Sequence, residues 1–284
     1  MRRRVGLTVC ALAAASIPAS CQRAAPPRPR HCTLERAMAE HPAPQPASRP
    51  AAAGASCPAG MVLLPGGVDR AAHMRMTGAF AGVLPGGEAG TPIAPFCLDR
   101  TEATVGAYRA CVERGACSAP DSGESCNWAD PTRVDHPINC VDWCQAAAFC
   151  RAVGKRLPTA LEWLWAARGG ARGWTFPWGA EPPDDTRLCW RRYDFDRRRG
   201  AGTCPAESFP RGASPEGVLG LAGNVREWTA TAWRFAATMD ELSVRGGAWE
   251  NDPRYTNVHS ESDYRYAPWY REPTIGFRCA ADPR

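Results

Sequence analysis

The sequence GKRLPTALEW, residues 154–163, carries the clearest local structure signal in this chain. Gly154 is a helix stop, since glycine readily adopts the left-handed conformation that ends a helix. Thr159 and Glu162 form the T-x-x-E pattern of a capping box, in which both side chains bind free amides of a first helical turn. The stretch therefore predicts one helix that ends at Gly154 and another that begins after Thr159.

Further helices and strands are predicted on either side of this stretch. The helix that stops at Gly154 begins with a second capping box, Asp142 and Gln145, and its predicted buried stripe is Trp143, Ala147 and Cys150. A third helix begins near Thr104, buries Val105, Tyr108, Cys111 and Val112, and ends at Gly115. Short strands are expected at Met61–Pro65, Phe96–Leu98, Val244–Arg245 and Ile275–Ala280. The fold class is therefore α+β with sparse regular secondary structure.

The N-terminal residues have the features of an export signal. Arg2 to Arg4 are followed by a short apolar run, and small residues then lead to Cys21, so residues 1–20 are predicted to be a signal peptide. Small residues before a cysteine are typical of a bacterial lipobox, which predicts lipidation of Cys21. Pro18 departs from that motif, so ordinary cleavage remains an alternative. Because Gln22 is not the aspartate typical of inner-membrane retention, we expect an outer-membrane lipoprotein facing the periplasm or the cell surface.

Composition divides the rest into a tether and a domain. Residues 21–56 are rich in Pro, Ala and Arg, which predicts an extended tether that cannot bury a core. Residues 57–284 are long enough for one sizeable domain. The formal charge of +5 includes three signal-peptide arginines, and no basic stripe suggests a nucleic-acid partner.

Cysteine is abundant, with 14 residues in the chain. Setting aside Cys10 and Cys21 leaves an even number behind an export signal, which predicts disulfides. The local pairs Cys111–Cys117 and Cys189–Cys204 each close a short loop. A metal site at Cys140, Cys144 and Cys150 is the less favoured alternative, because their spacing matches no zinc motif.

Six segments resemble those of the formylglycine-generating enzyme, or sulfatase-modifying factor, family. In chain order they are GMVLLPGG (60–67), GKRLPTALEW (154–163), FPWG (176–179), GNVREW (223–228), RGGAW (245–249) and GFRCA (276–280). They cover nearly all of the domain in the family order. The resemblance implies the family's C-type-lectin-like fold, which agrees with the sparse regular structure predicted above.

The resemblance does not extend to the family's catalytic cysteines. Family enzymes hold copper(I) with two cysteines that follow an R-G-G-S motif, because thiolates are the soft ligands that copper(I) prefers. Aligned from Arg245, those two positions are Asn251 and Thr256 here, and the serine is Ala248. We therefore expect no catalytic residue and no copper at these positions.

The resemblance also implies a calcium site in the GNVREW segment. By position, Glu227 would supply a side-chain ligand, and Gly223 and Val225 would supply carbonyl oxygens. Gly220 stands where the family has a further side-chain ligand, so one contributor is missing from the six or more oxygens that calcium takes. The alternative is that Glu227 forms an ion pair with Arg226 or Arg245.

Residues 263–271 (DYRYAPWYR) are dense in aromatic and guanidinium groups. Such groups can stack a sugar or hold an extended peptide, so Trp249, Arg265, Trp269 and Tyr270 are predicted to line a ligand cleft. Plain arginine–aromatic packing is the competing interpretation. The functional hypothesis is a binding module of the cell envelope, with a glycan, peptide or protein partner and a lipid anchor in the membrane. The alternatives are an oxidoreductase of this family with another substrate and a purely structural lipoprotein.

Overall fold

A computed structural model describes residues 32–33, 35, 54–69, 90–190, 193–194, 199–200, 202–235, 239–251 and 263–284. Three longer α-helices fall in these ranges: α1 (Val105–Glu113), α2 (Trp143–Ala152) and α3 (Ala160–Ala167). The strands are β1 (Met61–Leu64), β2 (Gly67–Asp69), β3 (Thr91–Ile93), β4 (Phe96–Asp99), β5 (Tyr193–Asp194), β6 (Arg199–Gly200), β7 (Arg226–Phe235), β8 (Met239–Arg245), β9 (Asp263–Tyr266), β10 (Ile275–Gly276) and β11 (Ala280–Ala281). Short 3-10 turns cover Asn127–Ala129, Pro131–Arg133, Gly170–Arg172 and Pro210–Gly212. This arrangement confirms the predicted α+β class.

The three helices begin where their capping residues predict. The Thr104 side chain accepts a hydrogen bond from the backbone amide of Ala107 at 3.2 Å. Asp142 and Thr159 each form both bonds of a capping box, with Gln145 and Glu162 respectively. These local hydrogen bonds satisfy backbone amides that have no partner inside the helix. Because the capping residues lie within a few positions of those amides, the helix starts could be predicted from the sequence.

Two larger sheets and two ribbons organise the strands. β1, β4 and β11 form one sheet, and the second has the order β10-β7-β8-β9, with β10 parallel to β7 and the other pairs antiparallel. β2 pairs with β3, and β5 pairs with β6. The region predicted as one strand, Ile275–Ala280, is divided between β10 and β11, which belong to different sheets.

Strand β7 is the main element that sequence patterning missed. Residues 228–232 (WTATA) alternate apolar and polar side chains, but two of the three apolar positions are alanine, which is depleted in strands, and the polar positions Thr229 and Thr231 are buried. The Thr229 hydroxyl donates to the carbonyl of Ser243 at 2.9 Å, and the Thr231 hydroxyl accepts from the amide of Ala160 at 2.9 Å. The hydroxyls are buried because each has a partner.

The core consists mainly of two apolar clusters. The larger one packs α1 and α2 against the second sheet, with Tyr108, Phe149 and Phe277 in mutual ring contact. The other packs α3 against the first sheet and is centred on Trp163 and Trp165. No helix in the described part of the chain is long and apolar enough to cross a membrane.

Six disulfides pair all twelve cysteines outside residues 1–31. Besides the two predicted local pairs, Cys111–Cys117 and Cys189–Cys204, they are Cys32–Cys144, Cys57–Cys97, Cys126–Cys140 and Cys150–Cys279. Cys140, Cys144 and Cys150 thus belong to three separate disulfides, which excludes their shared metal site. The disulfide prediction is confirmed.

Cys32 lies in the segment predicted to be a tether, yet it is fully buried and bonded to Cys144 at the start of α2. Asp142 has an oxygen within 4.8 Å of both sulfur atoms, a grouping that would suit a metal if the sulfurs were free. The disulfide and the bonds from Gln145 and Arg271 already engage these atoms. The chain is therefore attached to the domain at Cys32, well before Cys57.

Candidate functional site

Asn251, at the first family cysteine position, closes a tight turn after β8. Gly246 adopts φ of 93° and lies so close to α3 that a Cβ there would be 3.1 Å from the ring of Trp163. Beyond this glycine, the side-chain oxygen of Asn251 accepts from the Ala248 amide at 2.7 Å. The same oxygen accepts from Arg226 at 3.2 Å. The side-chain oxygen of Asn251 thus serves as a hydrogen-bond acceptor that stabilises the turn.

Arg226, at the start of β7, fills the space beside Asn251. Its guanidinium lies 4.3 Å from the centre of the Tyr264 ring and is almost entirely buried. It donates to Glu272 at 3.1 Å, Thr274 at 2.7 Å, Glu250 at 3.3 Å and Asn251 at 3.2 Å. The positive charge of the Arg226 guanidinium would repel a copper ion placed here. The oxygen atoms that surround Arg226 are hard ligands, whereas copper(I) prefers soft ones.

Three tyrosines, Tyr264, Tyr266 and Tyr270, form a stacked row that we call the tyrosine ladder. Ring centres are 6.4 Å apart for Tyr264 and Tyr266 and 4.4 Å apart for Tyr266 and Tyr270, with planes 7° and 1° apart. The Tyr270 hydroxyl donates to Glu272 at 2.6 Å. This bond links the ladder to the Arg226 cluster, by which we mean Arg226 with its acceptors Glu250, Asn251, Glu272 and Thr274. Burial, together with the Glu272 charge, raises the pKa of Tyr266 to about 12. The ladder therefore presents neutral phenols, with Tyr270 the most exposed at 37%.

The structure brings together only part of the predicted ligand cleft. Tyr270 and Asn251 are connected through Glu272 and Arg226. Arg265 lies between two ladder tyrosines on β9 and so projects from the opposite face of the strand. Trp269 is partly exposed beside Tyr270. Thr256, the second family cysteine position, lies outside the described residues, as does Cys21.

The prediction that Trp249 lines the cleft needs correction. Its side chain is 3% exposed and packs with Phe209 and the Cys189–Cys204 disulfide. The indole nitrogen donates to the carbonyl of Pro273 at 3.2 Å. Trp249 is therefore a core residue, because the turn directs it inward.

Glu227, the predicted calcium ligand, is fully buried in an ion pair with Arg278. The two carboxylate oxygens accept from the guanidinium at 2.7 Å each, and one of them also accepts from the Trp163 indole at 2.8 Å. The ion-pair interpretation of Glu227 thus describes the structure, with Arg278 as partner in place of Arg226 or Arg245. The remaining Arg278 donors contact the carbonyls of Leu219 and Asp99. Through these contacts the pair connects β4, α3, β7, the loop at Leu219 and the C-terminal segment.

Glu102 occupies the space next to Gly220, where the family's further calcium ligand is absent. A Cβ on Gly220 would lie 2.5 Å from the Glu102 carboxylate. One Glu102 oxygen accepts from the Asn224 amide at 3.1 Å, and the other has no hydrogen-bond partner among the described residues. Burial raises the pKa of Glu102 to about 8, with Arg278 opposing that rise. Burial thus favours the neutral form of the Glu102 carboxyl group.

These contacts do not fit the calcium site that the resemblance implies. Glu227 already has its charge neutralised by Arg278. Calcium needs six or more oxygen ligands, and charged carboxylates usually contribute to them. In this arrangement Gly223, Val225 and Glu227 leave no free carboxylate for the ion.

Comparison with known proteins now places this chain in a family. Residues 46–283 match the sequence profile described as the sulfatase-modifying factor enzyme 1-like domain. The chain belongs to this family. The matched residues include five of the six disulfides, the Glu227–Arg278 pair, and Arg226 with its acceptors; Cys32 lies before them.

Relatives of this domain include both active and inactive proteins by name. The formylglycine-generating enzyme of Mycobacterium tuberculosis is 34% identical over 205 residues, 60% of this chain and 64% of that protein. The inactive C-alpha-formylglycine-generating enzyme 2 of Bos taurus is 35% identical over 156 residues, 52% of this chain and 51% of that protein. This chain spans about half the length of the first curated relatives it matches.

Solved structures confirm the fold of the sulfatase-modifying-factor domain. PvdO from Pseudomonas aeruginosa aligns with a TM-score of 0.58 at 24% identity, over 78% of this chain and 94% of that chain. CarF aligns with a TM-score of 0.57 at 20% identity, over 78% and 97%. At these identities the likeness shows the shared fold alone.

Sequence reasoning missed Arg226, Glu250 and Glu272 as members of the site. Glu250 and Glu272 carry no motif and reach Arg226 only in the folded domain. Arg226 was considered only as an ion-pair partner of its neighbour Glu227. A buried arginine requires acceptors nearby, since a buried charge needs partners.

Proposed function

We propose that this protein is a non-catalytic binding module of the cell envelope, held to the membrane by a lipid on Cys21. The observation that carries the proposal is the Arg226–Asn251 contact of 3.2 Å at the family's first copper position. A guanidinium and an amide stand where the chemistry needs a soft thiolate.

The cysteine pairing supports a non-catalytic role. The twelve cysteines from Cys32 to Cys279 all lie in disulfides, so no thiolate pair is available among the described residues. Relatives that are named inactive formylglycine-generating enzyme 2 also occur, in Bos taurus and Mus musculus.

The tyrosine ladder is the surface that suits binding. Its rings are already stacked before any ligand binds. Little side-chain entropy is therefore lost when a flat or apolar group contacts Tyr270. Glu250 is partly exposed beside the ladder and can accept hydrogen bonds from hydroxyl or amide groups. Glycans, extended peptides and phospholipid headgroups all offer such groups.

An array of glycans, peptides and phospholipids tests the binding role, with the full mature chain in detergent as the probe. We expect binding to one class, weakened roughly tenfold in Tyr270→Ala, since an aromatic stacking contact contributes about 1–3 kcal/mol. Val134→Ala is the matched control, because Val134 is 47% exposed and lies near α1, away from the ladder. Absence of binding to every class would favour a purely structural lipoprotein.

A further inference from the structure

The Cys32–Cys144 disulfide joins the N-terminal segment to the domain directly beside the tyrosine ladder. The Cys32 sulfur lies 3.4 Å from the carbonyl oxygen of Pro268, and the backbone amide of Trp143 donates to that oxygen at 2.9 Å. Pro268 stands between Tyr266 and Tyr270, two residues from each. Cys32 is therefore attached to the domain next to the backbone that connects Tyr266 and Tyr270.

This attachment shortens the connection to the proposed lipid. Cys32 follows Cys21 by 11 residues, whereas Cys57 follows it by 36. For an extended, proline-rich chain, about 3.1 Å per residue gives lengths of about 34 Å and about 112 Å for these connections. A domain of this size has a radius of gyration of about 17 Å, hence a diameter of about 45 Å. The shorter connection is less than that diameter and the longer one exceeds it, so the shorter connection favours the ladder side of the domain facing the membrane.

The residues at the attachment have the composition of a membrane–water interface. Tyrosine and tryptophan are enriched at that boundary because their rings are apolar and their tips are polar. Tyr270 is exposed and Trp269 partly so. Arg271 is paired with Asp121 and Asp142 at 2.6 Å each, which offsets its charge. Contact with lipid here would thus depend on the rings more than on charge.

We propose that the anchored protein rests its Tyr266–Arg271 segment on the phospholipid interface of the membrane that holds Cys21. This inference rests on the lipid anchor of the proposed function, and it narrows the partner of the ladder to the bilayer surface. The Cys32–Cys144 disulfide keeps the connection between the lipid on Cys21 and the domain short. The aromatic side chains of the segment make the contact with the bilayer.

Photocrosslinking of the full lipidated chain tests the proposal. The variant Tyr270→benzoylphenylalanine is reconstituted in phosphatidylethanolamine–phosphatidylglycerol vesicles, and lipid attached to the protein is measured by mass spectrometry after illumination. Val68→benzoylphenylalanine is the control, because Val68 is 49% exposed on the β2–β3 ribbon. We expect lipid adducts at position 270 to exceed those at position 68 severalfold. Equal yields, or adducts only to protein or glycan in whole cells, would overturn the proposal.

The double variant Cys32→Ser/Cys144→Ser tests the role of the short connection in the same assay. Lengthening the connection from 11 to 36 residues lowers the effective concentration of the ladder at the membrane about sixfold, by the −3/2 power of length. We expect a comparable fall in adduct yield, with near-ultraviolet circular dichroism confirming a folded domain. An unchanged yield contradicts the proposed role of the disulfide.

Intact mass separates this inference from the proposed function. If the mature chain carries lipid on Cys21 but gives no excess of adducts at position 270, the membrane contact fails while the anchor stands. If the chain carries no lipid, the anchor and this inference fail together.

Discussion

Replacing Arg278 by methionine is expected to lower the free energy of unfolding by about 3–5 kcal/mol, the usual cost of removing one partner from a buried ion pair. Among the described residues, Glu227 would keep only the neutral Trp163 indole N–H as a side-chain donor, and its carboxylate is fully buried. The carbonyls of Leu219 and Asp99 would lose their donors as well. Urea unfolding followed by tryptophan fluorescence measures the loss.

A surface pair of the same chemistry provides the control. Arg100 and Glu207 are 2.6 Å apart, but their side chains are 44% and 72% exposed. Solvent-exposed pairs contribute about 0–1 kcal/mol, so Arg100→Met should change stability by less than about 1 kcal/mol. If Arg278→Met costs no more than Arg100→Met, the Glu227–Arg278 pair does not have the structural role assigned to it.

Removing the Cys150–Cys279 disulfide is expected to have an effect of similar size. The disulfide joins α2 to the C-terminal segment across 129 residues, and both sulfurs are fully buried. Loop-closure entropy for that length corresponds to about 5 kcal/mol at 25 °C. Cys150→Ala/Cys279→Ala should therefore unfold at a much lower urea concentration than the parent chain.

The disulfide Cys111–Cys117 serves as the matched comparison, because it closes a loop of only six residues. The same relation gives about 2 kcal/mol for this loop, so Cys111→Ala/Cys117→Ala should lose less than half as much stability. Equal losses for the two double variants would show that chain entropy is not the main contribution of the long-range disulfide.

Local features of the fold could be predicted from the sequence because their causes are local. Capping boxes at Asp142 and Thr159 satisfy amides a few residues away, and the short loops of Cys111–Cys117 and Cys189–Cys204 limit the choice of partner. Strand β7 was missed because two apolar positions of its alternating WTATA segment are alanine, which is depleted in strands, and because the partners of its buried threonine hydroxyls lie elsewhere in the sequence.

The candidate site was predictable only in outline. The resemblance located Asn251 and the aromatic segment, but the partner of Glu227 is Arg278, 51 residues away, and not its sequence neighbour Arg226. Arg226 instead turns toward Glu272 and Asn251. Choosing among three arginines requires knowing which of them the sheet register and loop geometry bring near the carboxylate.

Compared with the family, this chain differs less in its scaffold than in its candidate site. The pair of Glu227 and Arg278 and the disulfides hold the loops of the family fold in place. By contrast, at Asn251, which the resemblance aligns with the first family cysteine, the side-chain oxygen accepts a hydrogen bond from the buried Arg226. We propose that such a change removes one chemistry while keeping a folded, exposed surface available for another use.

Copper(I) titration of the oxidised, full-length mature protein, with oxygen uptake recorded in the presence of a cysteine-containing peptide, tests the non-catalytic assignment most directly. We expect no stoichiometric copper(I) binding, no free thiol among the twelve disulfide cysteines after denaturation, and no oxygen consumption above buffer. Binding of one equivalent of copper(I), together with peptide-dependent oxygen uptake, would contradict it.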